Sequence, residues 1–387
     1  DLRMSLFFLL TSVLYLLVRM RGSENMRILI TTGGTGGHIY PAVALADLIR
    51  KNEPDSAVLF IGNNDRMESR EIPARGYDFF GIDAKGFNGN SGDKLKSVSL
   101  MSKSYGICRR KIKEFRPDII VGFGGYVTVP VVMAGRRLNI PVVIHEQNSI
   151  PGMANRFLQR FAKKIVTCYP EANPYFPEKK TCLLGNPRAS VAKTVEKNRE
   201  VLCQYGLQPE KKTIFVVMGS LGSSSINDIM KKTLQSLQDP EIQVIYVTGR
   251  DGYDEFIKDL NVSDTIRILP YCDQPTLVAN TDLTMSRGGA TSAAEITALK
   301  VPSIIVPSPY VPNNHQFLNA KAMLDAGCAY LLEEKDMSAE TVLSLWDKLI
   351  HDEETLASMA LKCASLGFEN AAEDILALLH EVIGESV

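Results

Sequence analysis

The chain has no Cys-x-x-Cys pair; its seven cysteines (Cys108, Cys168, Cys182, Cys203, Cys272, Cys328, Cys363) stand singly and are odd in number. That argues against a disulfide framework and a zinc ribbon, and a reducing compartment is the simplest setting. Also missing are an Asp-x-Asp carboxylate pair, a His-Glu-x-x-His motif and any cluster of metal ligands, so a metal-bridged diphosphate is not indicated. No Gly-x-Gly-x-x-Gly is followed by an acidic residue about 20 positions on, which disfavours a dinucleotide-dependent oxidoreductase. Net charge is nearly absent, at a formal −1, and gives no global reason to expect nucleic acid as a partner. A run of the roughly 20 apolar residues that a spanning helix needs is lacking too. Leu6 to Val18 is an apolar stretch of 13, with Arg3 before it and Arg19 and Arg21 after it, and without a signal-peptide cleavage site. Residues 1–25 are expected to be sequence upstream of a start at Met26; an anchor that associates with membrane and a degenerate signal are the alternatives.

What the chain does have is length, 387 residues, and 45% hydrophobic content, enough to bury two cores. Two stretches share one design. RILITTGGTGGHIYPAVALADLI from Arg27 and KTIFVVMGSLGSSSINDIM from Lys212 each read as an apolar strand, a glycine-rich turn and a helix start. At such a junction backbone N–H groups and the positive helix end can face an anion such as a diphosphate. Strands and helices alternate on either side, so the expected fold class is α/β: two Rossmann-like, doubly wound parallel-sheet domains facing a cleft. The expected boundaries are 26–187 for the first domain, 188–365 for the second, and 366–387 for a C-terminal helix able to pack back on the first. The tail from Ser338 to Ile383 reads as helical throughout.

The candidate chemistry lies at the turns. Gly33-Gly34-Thr35-Gly36-Gly37-His38 would bring backbone close to a ligand and set His38 at the mouth of the cleft. Lowered in pKa by the helix end, its imidazole would be neutral and able to take a proton from a hydroxyl. Gly122, Gly124 and Gly125 precede Tyr126, and His145-Glu146-Gln147-Asn148 follows the next strand. Ligands bind beyond the carboxyl ends of strands in such sheets. In the second half, Gly219-Ser220-Leu221-Gly222-Ser223 is the expected diphosphate loop. Glu295, on the helix opened by Ser286-Arg287-Gly288-Gly289-Ala290-Thr291, can accept hydrogen bonds from a ribose diol. Gln316 and Asn319, with Asn313, Asn314 and His315, suit sugar hydroxyls, and Arg188 is the candidate cation for the diphosphate.

Between Lys85 and Arg116 nine bases face two acids, a net of +7. Lys94, Lys96 and Lys103 interleave there with Leu100 and Met101. A basic segment with an apolar face suits anionic lipid, and an ordinary solvated helix packing Leu and Met on the core fits the pattern equally well.

From Met26 to about Asn319, the ordered motifs GGTGGHIYPAVALA, FGGYVTVP, HEQNSIPGMANR, SRGGATSAAE and HQFLNA resemble the MurG family. These are the undecaprenyl-diphospho-muramoyl-pentapeptide N-acetylglucosaminyltransferases of bacterial peptidoglycan synthesis. The resemblance implies a glycosyltransferase B fold and a metal-independent, inverting transfer of N-acetylglucosamine from UDP-GlcNAc, as co-substrate, to the 4-hydroxyl of the muramoyl sugar of lipid I, giving lipid II. It places Thr35, Gly36, Gly37, Asn148, Arg188, Gly219, Ser220, Gly222, Glu295, Gln316 and Asn319 at the UDP-sugar. Gly124, Gly125, Tyr126 and Glu146 fall on the acceptor side, and His38 is the candidate base. It also implies a peripheral place on the cytoplasmic face of the cell membrane, anionic inner-membrane lipid as a contact, and cell-wall synthesis or division proteins as partners. The family usually has Gln where this chain has Leu221, and one residue between the proline and arginine that here adjoin as Pro187 and Arg188. The rival in chemistry is a glycosyltransferase acting on another lipid such as diacylglycerol; the rival of another class is the oxidoreductase disfavoured above, and a third reading is a non-catalytic nucleotide-sugar or lipid-binding protein.

Overall fold

The computed structural model describes residues 25–86, 91–219 and 223–385. The Leu6–Val18 stretch, Ser220, Leu221 and Gly222 lie outside the described residues.

Two parallel sheets form from strands whose residues are apolar almost without interruption, as strands covered on both faces must be. The first holds β1 (Arg27–Thr31), β2 (Ala57–Asn63), β3 (Asp78–Ile82), β4 (Ile119–Gly122), β5 (Val142–Glu146), β6 (Lys164–Thr167) and β7 (Thr181–Leu183). Its strand order is β3-β2-β1-β4-β5-β6-β7. The second holds β8 (Lys212–Val217), β9 (Ile242–Val247), β10 (Ile266–Leu269), β11 (Leu283–Ser286), β12 (Ser303–Ile305) and β13 (Ala329–Leu331), in the order β10-β9-β8-β11-β12-β13. In both sheets the winding reverses beside the first strand, between β1 and β4 and between β8 and β11. A doubly wound sheet opens a crevice at that switch point, beyond the carboxyl ends of the two strands. The four segments that leave there are the glycine-rich turns singled out in the sequence.

Two strands, β3 and β7, go beyond the sequence reading. Both stand at sheet edges, where short segments carry little periodic signal. The tail is not helical throughout: helices Ala339–Ile350, Glu353–Lys362 and Ala371–Gly384 are separated by turns. Asp352 caps the second of them by accepting from Thr355 N–H at 2.9 Å, which fixes the break. The last helix leaves the second sheet and packs on the helix Gly36–Asn52, so that Ile375, Leu376, Leu378, Leu379 and Val382 share one apolar core with Leu45 of that helix and with Ile28, Ile30, Phe60 and Val121 of the first sheet.

The basic segment forms one helix, Ser91–Phe115. Its inner stripe is Ser97, Met101, Ser104, Cys108 and Ile112, at three- and four-residue spacing, all buried. Ser97 and Ser104 hydroxyls tie it down by donating to the carbonyls of Gly86 and Asp83. Met101 therefore faces the protein, as the reading of an ordinary solvated helix has it, and not the outer surface that the lipid reading assigned to it, whereas Lys103 and Val98 are exposed and Leu100 is half-buried. Lys94 and Lys96 lie on this helix with their side chains outside the described part. Among the described residues no helix is long and apolar enough to cross a membrane.

Candidate active site

The turn after β1 and the turn after β4 pack directly on each other. Gly125, at φ +84°, lies so close to the first turn that a β-carbon there would stand 2.6 Å from the Gly33 carbonyl oxygen. Gly124, at φ +94°, runs under His38, and a β-carbon there would stand 3.1 Å from Nε2. Glycine is required at both positions, for the left-handed backbone and for the approach. Thr128 closes the second turn by donating to the Gly124 carbonyl at 2.6 Å.

His38 lies in the first turn of the helix Gly36–Asn52, and its Nδ1 lies 3.1 Å from the Gly33 carbonyl. A carbonyl can only accept, so Nδ1 carries the proton and Nε2 keeps its lone pair over Gly124. Burial pushes the His38 pKa down to about 4, against the pull of the Gly33 carbonyl, with a smaller downward push from His315 of the second half. The direction matches the sequence expectation, with desolvation as its main cause. Thr35 is the exposed residue before that helix, and Gly36 and Gly37 are half-buried in its first turn.

Glu146 ends β5 buried, with no cation paired to it among the described residues. Its carboxylate accepts four hydrogen bonds, from Asn148 N–H and Nδ2 on one oxygen and from Gly152 N–H and Asn155 Nδ2 on the other. It organises the loop that carries Asn148 and Ser149. Tyr126 is half-buried, its ring over Gly86. Behind them His145 is buried, stacked on Phe123, with Nε2 3.0 Å from the Gly185 carbonyl. Burial pushes its pKa down to about 4.

Asn319 is fully buried and joins the two halves. Its Oδ1 accepts from Ser149 N–H and Ser149 Oγ, both at 2.9 Å, and its Nδ2 donates to Asn148 Oδ1 at 3.2 Å and to the Gly288 carbonyl at 3.1 Å. Every hydrogen-bonding position of the amide is occupied by protein, so in this arrangement none is left for the sugar hydroxyls expected in the sequence reading. Gln316, one turn earlier, is half-buried, and its Oε1 accepts from Ser308 N–H.

Arg188 and Glu295 meet. Nε and a terminal nitrogen of Arg188 donate to Glu295 Oε1 at 2.8 and 2.6 Å, and Gln274 Nε2 donates to Oε2 at 3.0 Å. Burial raises the Glu295 carboxyl and Arg188 opposes that shift. Both groups expected to contact the nucleotide are here engaged with each other. Gly219 turns at φ +90° at the end of β8. Arg287, nearly buried, pairs with Glu334 at 2.7 Å and donates to Ser223 Oγ at 3.0 Å, which fixes the far end of that turn.

Sequence reasoning missed Glu68, Ser149, Gln274 and Glu334. Glu68 is fully buried, and its carboxylate accepts from Gly34 N–H at 3.2 Å and Asn63 N–H at 3.0 Å. It is an acid placed against a turn expected to greet an anion. Among the described residues no three His, Cys, Asp or Glu side chains converge as a metal site would need.

Two family models match the chain: the N-terminal domain of glycosyltransferase family 28 over residues 28–167 and its C-terminal domain over 213–375. A UDP-N-acetylglucosamine–N-acetylmuramyl-(pentapeptide) pyrophosphoryl-undecaprenol N-acetylglucosamine transferase of Leuconostoc mesenteroides is 41% identical over 364 residues, 93% of this chain and 100% of the relative. Its Bacillus cytotoxicus counterpart is 39% identical over 363 residues, 92% of this chain and 100% of the relative. The crystal structure of Acinetobacter baumannii MurG superposes with a TM-score of 0.76 at 26% identity, over 92% of this chain and 99% of that one. A UDP-GlcNAc 2-epimerase from Neisseria meningitidis, solved with UDP-GlcNAc, shares the fold alone, at 15% identity and a TM-score of 0.67 over 92% of this chain and all of that one. With the sequence motifs at the switch points of both sheets and relatives matched end to end, this chain belongs to glycosyltransferase family 28, among the MurG N-acetylglucosaminyltransferases.

Proposed function

We propose that this protein transfers N-acetylglucosamine from UDP-GlcNAc to the 4-hydroxyl of the muramoyl sugar of lipid I, with inversion, to give lipid II in peptidoglycan synthesis. The observation that carries this reading is the 39–41% identity, across their whole length, to transferases named for that reaction. The first half, 26–187, takes the lipid-linked acceptor; the second, 188–365, takes the nucleotide sugar.

His38 supports its proposed role through its tautomer. Nδ1–H is spent on the Gly33 carbonyl, so the free Nε2 is the nitrogen that can draw the proton from the attacking hydroxyl. A pKa near 4 keeps it neutral at physiological pH, though a weak base. The hydroxyl oxygen bonds to the anomeric carbon as the bond to the UDP oxygen breaks. The charge left on UDP meets the N-terminal end of the helix Ser224–Ser236 and the turn at Gly219. Arg188 reaches the diphosphate, and Glu295 the ribose, only by loosening their mutual pair. That exchange would tie donor binding to a rearrangement at the second switch point. Peripheral contact with anionic lipid on the cytoplasmic face is assigned to the outer face of helix Ser91–Phe115, through Lys103 and the half-buried Leu100.

UDP release from UDP-GlcNAc, followed with and without a short-chain lipid I analogue, tests the reading. Release only with the analogue, with a product heavier by one N-acetylglucosamine, is expected; release with diacylglycerol instead would refute the acceptor assignment. His38→Ala should lower turnover about 100-fold or more while the KM for UDP-GlcNAc stays within a fewfold.

A further inference from the structure

The acid against the first glycine turn has no role in the reading above. Glu68 is fully buried in the short helix Glu68–Glu71, 30 residues along the chain from His38, and its two oxygens hold Gly34 N–H and Asn63 N–H. The peptide unit whose N–H it holds is the Gly33–Gly34 peptide. The carbonyl of that same unit, Gly33 C=O, accepts the Nδ1 proton of His38. Carboxylate, peptide and imidazole therefore lie in one hydrogen-bonded line.

We propose that Glu68 is a positioning residue for His38, acting through the Gly33–Gly34 peptide as an aspartate acts directly on the histidine of a catalytic dyad. A negative charge at the N–H end polarises the peptide and makes its carbonyl a stronger acceptor, because hydrogen bonds in a chain reinforce one another. That fixes the Nδ1–H tautomer and the ring orientation, and leaves Nε2 as the proton acceptor. The packing agrees: a β-carbon on Gly33 would lie 2.2 Å from Glu68 Oε1, so the glycine leaves room for the carboxylate as well as for a ligand. The charge also makes this turn a poor place for the acceptor's diphosphate, since one of its backbone donors already serves an anion. The titratable groups that face this site are His315 from the second half, which disfavours protonated His38, and His145 from β5, whose own protonation His38 disfavours; what opposes them at His38 is the Gly33 carbonyl, whose peptide Glu68 holds at its other end.

The proposal rests on His38 as the base, and the test separates the two. In the full chain, Glu68→Gln keeps the shape but turns one amide nitrogen toward a backbone N–H, so one of the two bonds is lost whichever way the amide lies. With 15N-labelled histidine at neutral pH, and His38→Ala to assign the signal, wild type should show His38 protonated at Nδ1. Glu68→Gln should weaken that proton's deshielding and let the Nε2–H tautomer appear. Turnover should fall about 10- to 100-fold with KM for UDP-GlcNAc unchanged, as for other groups that orient a functional histidine from behind. Glu68→Gln should add nothing to His38→Ala. Unchanged His38 signals, or losses that multiply in the double variant, overturn the proposal. Full turnover in His38→Ala would instead overturn the base assignment, with the nitrogen signals still deciding whether Glu68 governs the imidazole. Should Glu68→Gln not fold, Glu68→Asp withdraws the carboxylate by one methylene, and the same change in the His38 signals is expected; unchanged signals there also overturn it.

Discussion

Replacing Asn319 with alanine should uncouple the two halves more than it weakens either. The variant strands Ser149 N–H, Ser149 Oγ, Asn148 Oδ1 and the Gly288 carbonyl, all served by one amide. Three of these bonds cross between the halves, the Gly288 bond lying within the second, so at about 1 kcal/mol net for each neutral hydrogen bond the closed arrangement loses about 3 kcal/mol, roughly a hundredfold or a little more in an equilibrium between apposed and separated halves. The cores on either side keep their contacts, so the melting temperature should move much less than such a loss inside a core would require. Two assays read this. Limited proteolysis should cut near 148–152 faster in Asn319→Ala, and kcat/KM for sugar transfer should fall 10-fold or more. Asn148→Ala removes one of the three bonds between the halves, along with its own Nδ2 bond to Glu146, so it should cost that equilibrium about 1 kcal/mol, and the double variant should separate the halves no more than Asn319→Ala alone. Wild-type protease resistance and kcat/KM within threefold in Asn319→Ala would refute the reasoning.

Other consequences can be measured separately. His145, buried and depressed from 6.5 to about 4, favours the neutral form in the folded state, so the unfolded chain binds more protons between those pH values. Stability should fall by about 3 kcal/mol from this group as pH drops from 6.5 to 4, and a chemical-denaturation series should be flatter in that window for His145→Gln. The acid limb of kcat should lie near pH 4, and a limb at 6.5 would contradict the burial of His38. Gly124→Ala, at φ +94° and beneath the His38 ring, should cost about 1 kcal/mol in a melt and lower kcat by more than that implies. Leu379→Ala should cost 2–5 kcal/mol, roughly, as a buried leucine in a core formed between the last helix and the first sheet.

The sheets, their switch points and the glycine turns were legible because each is written in adjacent residues: an apolar strand, then glycines, then a helix start. His38 was legible for the same reason. What escaped was pairing at a distance. Nothing near Glu68 says that its carboxylate returns to Gly34, and no pattern links Ser149 to Asn319, 170 positions apart. The sequence reading saw Arg188 and Glu295 as two separate ligands of a nucleotide, whereas opposite charges close in space satisfy each other first. Met101 was left between a lipid-facing and a core-facing reading; the serines and cysteine that share its stripe, small and half-polar, did not mark the inward face of that helix.

The return of helix Ala371–Gly384 to the first sheet has a consequence for how the chain is made. One piece of the first core, the helix Ala371–Gly384, is synthesised only after the whole second half. At 5–20 residues per second, residues 188–370 take roughly 10 to 40 s to synthesise. Through that interval the core that holds Ile28, Ile30, Leu45 and Phe60 lacks the apolar side chains of its last helix. The nascent first half is thus an incomplete body with an open apolar groove, a site for a chaperone or a neighbouring ribosome's product until the chain closes on itself.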